Sequence, residues 1–529
     1  MALLNAFIRT QRLHKGTPRH KARAARYSST FKTELTTRKP EECIVYPSII
    51  GEKSYEEVPG PKPLPFLGNT WRFIPYIGNF KLDEISKISV DLYNQYGDIV
   101  KISGLIGRPD MVFLYKPSEV ERILKLEDTL PFRPSMPSLD YYKHVLRTDF
   151  FQDVGGVIAT HGTMWENFRA KVQHIMLQPK TSKFYITPIE SIADEFVNRI
   201  GQIKDESNTV PENFLNEIQK WALESLAKIA LDVKLNSFSV TSKETQKFID
   251  AIGTFFKAIL ILELKSPLWR FYNTPTWLSF VDALDTITSY SLTHIEAALD
   301  RLKNTSKERK NSEDISLLER VLLQNQDNPK IAVILALDMF LVGIDTTSAT
   351  VSSILYQLSQ HKEKQNILYE EVSRIVGAGP LSSQSFNEMP YLKACIKETL
   401  RMYPVVFGNG RCLSMDTNIC GYNIPKGVQI VFQHFIMGNS DKYFDDSHEF
   451  RPERWLKSCG KAYHPYASLP FGHGRRMCLG KRFADLEIQT VIAKIISAYD
   501  VQFHGEKLPY VVHPIYMPHG PLKFTFVDR

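Results

Sequence analysis

Cysteine is scarce: the 529-residue chain has six, at Cys43, Cys395, Cys412, Cys420, Cys459 and Cys478, and no two are in Cys-x-x-Cys spacing. That is too few and too scattered for a disulfide scaffold or a cysteine zinc site, and it suits free thiols in a reducing compartment. Acidic residues are missing altogether before Glu34. Long hydrophobic runs are missing too. The longest, Ile331 to Ile344, is interrupted by Asp338 and falls short of the ~20 residues that cross a bilayer, so the mature chain is expected to lack a transmembrane helix. There is no secretory hydrophobic segment, internal repeat, low-complexity tract, P-loop or strand-borne Gly-x-Gly-x-x-Gly. A fused nucleotide-binding module is thereby disfavoured.

A net charge of +7 would point to nucleic acid or an anionic surface if it belonged to the folded body. It does not. Arg9, Arg12, Lys15, Arg19, Lys21, Arg23 and Arg26 all precede Tyr27, and without those seven the chain has 58 basic residues against 58 acidic ones. No nucleic-acid partner is expected. An acid-free, Arg-rich stretch with Leu3, Leu4, Phe7, Ile8 and Leu13 at helix-like spacing matches a mitochondrial presequence, and Arg26-Tyr27-Ser28-Ser29 resembles a matrix processing site. The plainer alternative is a basic, solvated arm. The expected division is a presequence at 1–27, an N-terminal segment at 28–57 and one catalytic unit at 58–529.

Four prolines between Pro59 and Pro65 forbid helix and predict a stiff extended connector. Apolar spacing predicts a helix over Asp83–Tyr96, strands at Ile99–Ser103 and Met111–Tyr115, and nearly continuous helix from Ser182 to Leu302 with stops at Pro267 and Pro275. Asn328-Pro329 reads as the cap of an unusually long helix running to about His361. The last third alternates short strands, helices and Pro/Gly turns.

The strongest local signal is Phe471-Gly472-His473-Gly474-Arg475-Arg476-Met477-Cys478-Leu479-Gly480. Three glycines around one cysteine let the backbone pass close to a flat object. A helix predicted over Leu479–Ala498 would favour a thiolate at its N-terminus. A buried structural cysteine in a glycine-rich turn is the ordinary alternative, but it does not explain the whole decapeptide. Here the sequence resembles the cytochrome P450 signature Phe-x-x-Gly-x-Arg-x-Cys-x-Gly, matched at Phe471, Gly474, Arg476, Cys478 and Gly480 without departure. The resemblance implies a mainly α fold with a small β-rich lobe. It also implies haem b with Cys478 as axial thiolate, Phe471 packed beside the sulfur and Arg476 on a haem propionate.

Four further matches extend the resemblance. Lys397-Glu398-Thr399-Leu400-Arg401 and Phe450-Arg451-Pro452-Glu453-Arg454-Trp455 supply a structural lock of Glu398, Arg401 and Arg454. Trp165-x-x-x-Arg169 resembles the propionate-binding pair, and Arg411 a further arginine of the same kind. A haem brings two carboxylates into a low-dielectric site, which clustered arginines would balance. Val342-Gly343-Ile344-Asp345-Thr346-Thr347 could be a packing glycine with back-bonded threonines. It also resembles the family's oxygen groove, with Asp345 and Thr346 as the catalytic acid and alcohol. The groove is expected to weaken the helix ladder and leave room for a small ligand. Val342 stands where the family usually has alanine or glycine, and its extra branch would narrow the pocket.

Lys393 and Lys397 lie one turn apart, and Lys481 and Arg482 follow the cysteine. Solvated lysines are the neutral expectation. By resemblance to mitochondrial members, the four would dock an acidic, adrenodoxin-like ferredoxin supplied by an NADPH-dependent ferredoxin reductase. The implied activity is insertion of one atom of O2 into a lipophilic substrate on the matrix side of the inner mitochondrial membrane, with peripheral membrane contact. The stretches Ala394–Glu398 and Val406–Arg411 lean toward the insect mitochondrial branch of the detoxifying type. The alternatives are an ecdysteroid or steroid hydroxylase, a member that rearranges hydroperoxides, and a haem protein that binds gas without turnover. Intact Asp345-Thr346 argues against the rearranging reading, and the lysine pair against the gas-binding one. Substrate contacts are expected from 149–157, 255–268, the long helix, 404–407 and 515–517, which are apolar and aromatic.

Overall fold

A single 31-residue helix, Lys330–Gln360, forms the axis of the molecule. From Ile331 to Leu341 it is apolar almost all round and buried, as expected of a helix enclosed by others. The computed structural model describes residues 53–133, 136–239, 243–303, 315–513 and 515–529. The expected presequence, Cys43 and nearly all of the 28–57 segment lie outside these. Among the described residues the long helix alone is long and apolar enough to cross a membrane, and it is the core. Its serines and threonines return their hydroxyls to the preceding turn, as from Ser348 to Ile344 O (2.8 Å) and Ser352 to Ser348 O (2.8 Å). The polar groups are thus satisfied without leaving the helix.

Around this axis pack Phe214–Leu231, Lys243–Leu264, Pro275–Lys303 and Lys481–Ala498, with Ile186–Ile203 laid against the first and last of these. The fold is mainly α, 57 % helical, with a small β region, as the resemblance implied. Predicted helix over Ser182–Leu302 resolves into four pieces. Pro267 falls in a break, but Pro275 opens the 29-residue helix Pro275–Lys303 and is no stop. A proline at the first helical position forfeits an amide that had no intrahelical partner anyway.

The main sheet has four short strands. Ile99–Ile102 runs antiparallel to Met111–Leu114, which is parallel to Gln429–Phe432, itself antiparallel to Asn409–Cys412. The proline connector lies along its edge: Lys101 N donates to Pro59 O at 2.8 Å. After Pro63 the chain is no longer extended but closes a tight turn, with Leu64 and Gly68 exchanging backbone hydrogen bonds. Gly68 (φ +54°) is needed there, since a Cβ would lie 1.9 Å from Gly104 O.

Candidate functional site

The segment from Phe471 to Gly480 is folded by its own backbone. Cys478 N donates back to Phe471 O at 2.9 Å and Met477 N to Gly474 O at 3.1 Å. Gly472 (φ +69°) and Gly474 (φ +74°) adopt left-handed conformations that L side chains resist. Gly480 caps the helix Lys481–Ala498, so Cys478 sits two residues before the cap and three before the first helical residue. Burial among protein groups pushes the Cys478 thiol up, while the Gly480 backbone, Arg169 and Arg133 pull it the other way. The side chain is nevertheless exposed. The polypeptide alone does not favour a bare thiolate; a cation bound to the sulfur would.

Four arginines approach this loop. Arg476 donates to Pro131 O (3.0 Å) and Thr160 O (3.1 Å) and lies over the Trp165 ring at 3.7 Å, yet one of its terminal nitrogens is buried without a partner. Arg169 donates to Met477 O at 3.1 Å and leaves its Nε unpartnered. Arg133, which carries no spacing signal in the sequence, has a buried Nε without a partner. Burial and neighbouring guanidinium groups lower Arg476 to about 8 and Arg133 to about 10. His161 is lowered to about 3 by burial and by Arg476 and Arg133. Arg411 differs from the other three: it is ion-paired with Glu127 and donates to Gly410 O (3.0 Å).

On the long helix, Asp345 is buried and accepts from Gln219 Nε2 at 2.8 Å. Burial pushes its carboxyl up to about 6, with Gln219 acting in the opposite sense. Thr346 donates to Val342 O (2.8 Å). The helix passes through Val342–Thr346 unbroken. Gly343 serves helix packing, since a Cβ there would come within 3.2 Å of Leu226 on Phe214–Leu231. Gln219 was not singled out from the sequence, because a glutamine on a separate helix offers no local pattern.

Below the site, Glu398 gathers a fully buried network. Its carboxylate accepts from Arg401 Nε (2.9 Å) and Nη2 (2.8 Å), Arg454 Nε (2.8 Å), Trp455 Nε1 (2.9 Å) and Arg451 N (3.1 Å). The remaining guanidinium hydrogens reach carbonyls of Ser447, Glu449, Asp445 and Asp446. The helix Pro390–Met402 is thereby tied to the whole segment from Gly438 to Trp455.

The family model for cytochrome P450 matches residues 58–526. The chain belongs to the cytochrome P450 family. It is 45 % identical over 491 residues to a probable cytochrome P450 49a1 of Drosophila melanogaster, covering 90 % of this chain and 83 % of that one. It is also 45 % identical over 480 residues (89 % and 86 %) to a probable mitochondrial cytochrome P450 301a1, and 34 % identical over 501 residues (91 % and 92 %) to a probable mitochondrial cytochrome P450 12a5, both of the same fly.

As a P450 monooxygenase the protein binds haem through a cysteine thiolate, and bound haem supplies the iron that activates oxygen. The residues present fit that group. Arg133 and Arg169 act on Cys478, and each, like Arg476, has a buried nitrogen without a partner; a dianion is what such a set lacks.

Glu398→Gln keeps the shape of the lock and removes the charge that two buried guanidinium groups share. The holoprotein is expected to lose about 3–5 kcal/mol, read from denaturant unfolding followed at the Soret band. A loss below about 1 kcal/mol would equate the trio with a surface pair.

Proposed function

We propose that the protein is a mitochondrial P450 monooxygenase, on the matrix side of the inner membrane, that takes electrons from a ferredoxin and oxygenates a lipophilic substrate. Cys478 would supply the thiolate to bound haem with Phe471 packed beside it, and Arg476, Arg169 and Arg133, with Arg411 next to them on Glu127, would hold its carboxylates. Trp165 acts through Arg476, on which its ring stacks. Asp345 holds a proton at its carboxyl, and Thr346, whose hydroxyl donates to Val342 O, would be the alcohol that shares in proton delivery once haem is bound. A carboxyl near 6 can both release and regain a proton close to neutral pH, as a relay requires.

The observation that carries the electron-donor assignment is electrostatic. Lys393, Lys397, Lys481 and Arg482 all act on one carboxylate, Asp485, whose pKa burial raises against their combined pull. The four therefore form a single basic patch around one largely buried acid, and a patch of that sign suits an acidic electron carrier, adrenodoxin-like, with its NADPH-dependent reductase. The word mitochondrial in the names of two relatives agrees with the acid-free N-terminus. Membrane contact is supported by a second surface. Phe66, Tyr76, Ile77, Ile106, Leu268 and Phe271 are exposed. Their segments adjoin one another through Gly68 against Gly104, Gly107 against Pro267, and Arg108 bonded to Leu262 O. Such an apolar, aromatic face suits peripheral insertion into a lipid interface.

The first test is the reduced carbon-monoxide difference spectrum of protein beginning at Ser28. A red-shifted Soret band that disappears in Cys478→Ala is expected, and its absence from folded, haem-loaded protein would sink the ligand assignment. Asp345→Asn should lower product formation about 10²-fold and flatten its pH dependence around pH 6; an unchanged profile would remove the carboxyl from proton delivery. Lys397→Glu should raise the KM for ferredoxin on the order of tenfold at low salt and less at high salt, while dithionite reduction is unaffected. Equal KM values at low salt would place the docking surface elsewhere.

A further inference from the structure

The long helix carries a buried ion pair that no part of the reaction above uses. Lys143, in the single π-helical turn Tyr142–Leu146, and Asp338, on the long helix, are both almost completely buried. Lys143 Nζ donates to Asp338 Oδ1 (2.8 Å), Gly155 O (2.9 Å) and Ile158 O (3.1 Å), which uses all three ammonium hydrogens. Asp338 Oδ2 accepts from Val157 N (2.7 Å) and Ile158 N (3.4 Å). Loop 155–160 is therefore held from both sides, its carbonyls by the ammonium and its amides by the carboxylate.

The loop follows this clamp closely. Gly156 has φ +82°, and a Cβ there would stand 2.2 Å from Asp338 Oδ2, so the backbone can approach the acid only as glycine. Ala159 is also left-handed (φ +55°), and Thr160 Oγ1 donates to Gly155 O at 3.0 Å. At its far end Thr160 O receives Arg476. The loop thus spans from the long helix to the cysteine loop. Asp338, Val342 and Thr346 are spaced four residues apart and share one face of the long helix. What Asp338 holds therefore lies about two turns, about 12 Å at the rise of an α-helix, from Thr346.

We propose that Lys143 and Asp338 are positioning residues that fix loop 155–160, with Val157 and Ile158, as a wall of the substrate cavity and so set the size of molecule admitted to the iron. The pair is a costly way to pack an interior, because two charges are desolvated. Its return is geometric, since a carboxylate with two amides on one oxygen holds a loop at a defined height, which apolar contacts do not. The inference rests on the reading that substrates approach over Thr346.

The test uses haem-loaded protein, spectral titration with imidazole, 4-phenylimidazole and the triaryl azole clotrimazole, and the variants Asp338→Asn and Lys143→Met/Asp338→Leu. The double variant removes both charges together and guards against a single variant that fails to fold. Imidazole affinity is expected to stay within about twofold, since it reads the iron alone. The ratio of clotrimazole to imidazole affinity should change by about tenfold or more in both variants. An unchanged ratio, or equal changes for all three ligands, overturns the proposal. Hydrogen exchange on the unaltered protein gives a check without mutation. The amides of Val157 and Ile158 should be protected like those of the long helix, and fast exchange there overturns the clamp. If the clamp holds but azoles bind without a low-spin shift, the approach over Thr346 is wrong instead.

Discussion

Arg133, Arg169 and Arg476 share a small interior volume in which each has a donor left without an acceptor. Cations confined together in a poorly polarisable medium repel one another, and the depression of Arg476 and Arg133 below the usual guanidinium range expresses that cost. Much of the architecture serves to hold them there. Trp165 supports Arg476 from the helix Gly162–Leu177, Met477 O and Thr160 O orient Arg169 and Arg476, and Cys478 lies in the midst. A haem, with two carboxylates and an iron for the sulfur, satisfies all of these demands together.

The Glu398 network works in the opposite sense. Two arginines share one carboxylate, but each of their other nitrogens finds a carbonyl or the Tyr463 hydroxyl, and no nitrogen is left for a ligand. One cluster is complete and supports; the other is incomplete and binds. Both are buried and arginine-rich, so the difference between scaffold and site lies in whether the donors are satisfied, not in composition.

Much of this was legible in the sequence where function depends on short spacing. The glycines around Cys478, Trp165 with Arg169, and Glu398 with Arg401 declare themselves within a turn or two, and the apolar run of the long helix predicted its extent to within a residue or so. What escaped depends on tertiary pairing. Gln219 meets Asp345 across 126 residues and Lys143 meets Asp338 across 195, with no local pattern to mark either. Arg133 looked like any loop arginine, whereas Arg411, which did match a pattern, is already paired with Glu127. Pro275 read as a helix stop because proline forbids the preceding turn, yet at the first position there is no preceding turn to lose. At Gly343 the helix stays continuous, and the missing side chain leaves room for Leu226.

The unsatisfied arginines also bear on how the molecule is made. A chain that reaches its final packing without its prosthetic group must enclose three cations that have no counter-charge, so the last stage of folding and the capture of the group are thermodynamically one event. Polypeptide produced faster than the group is supplied would linger in partly open forms, the substrate of proteases. The steady-state amount of this enzyme would then follow the cell's supply of iron porphyrin more closely than its rate of translation.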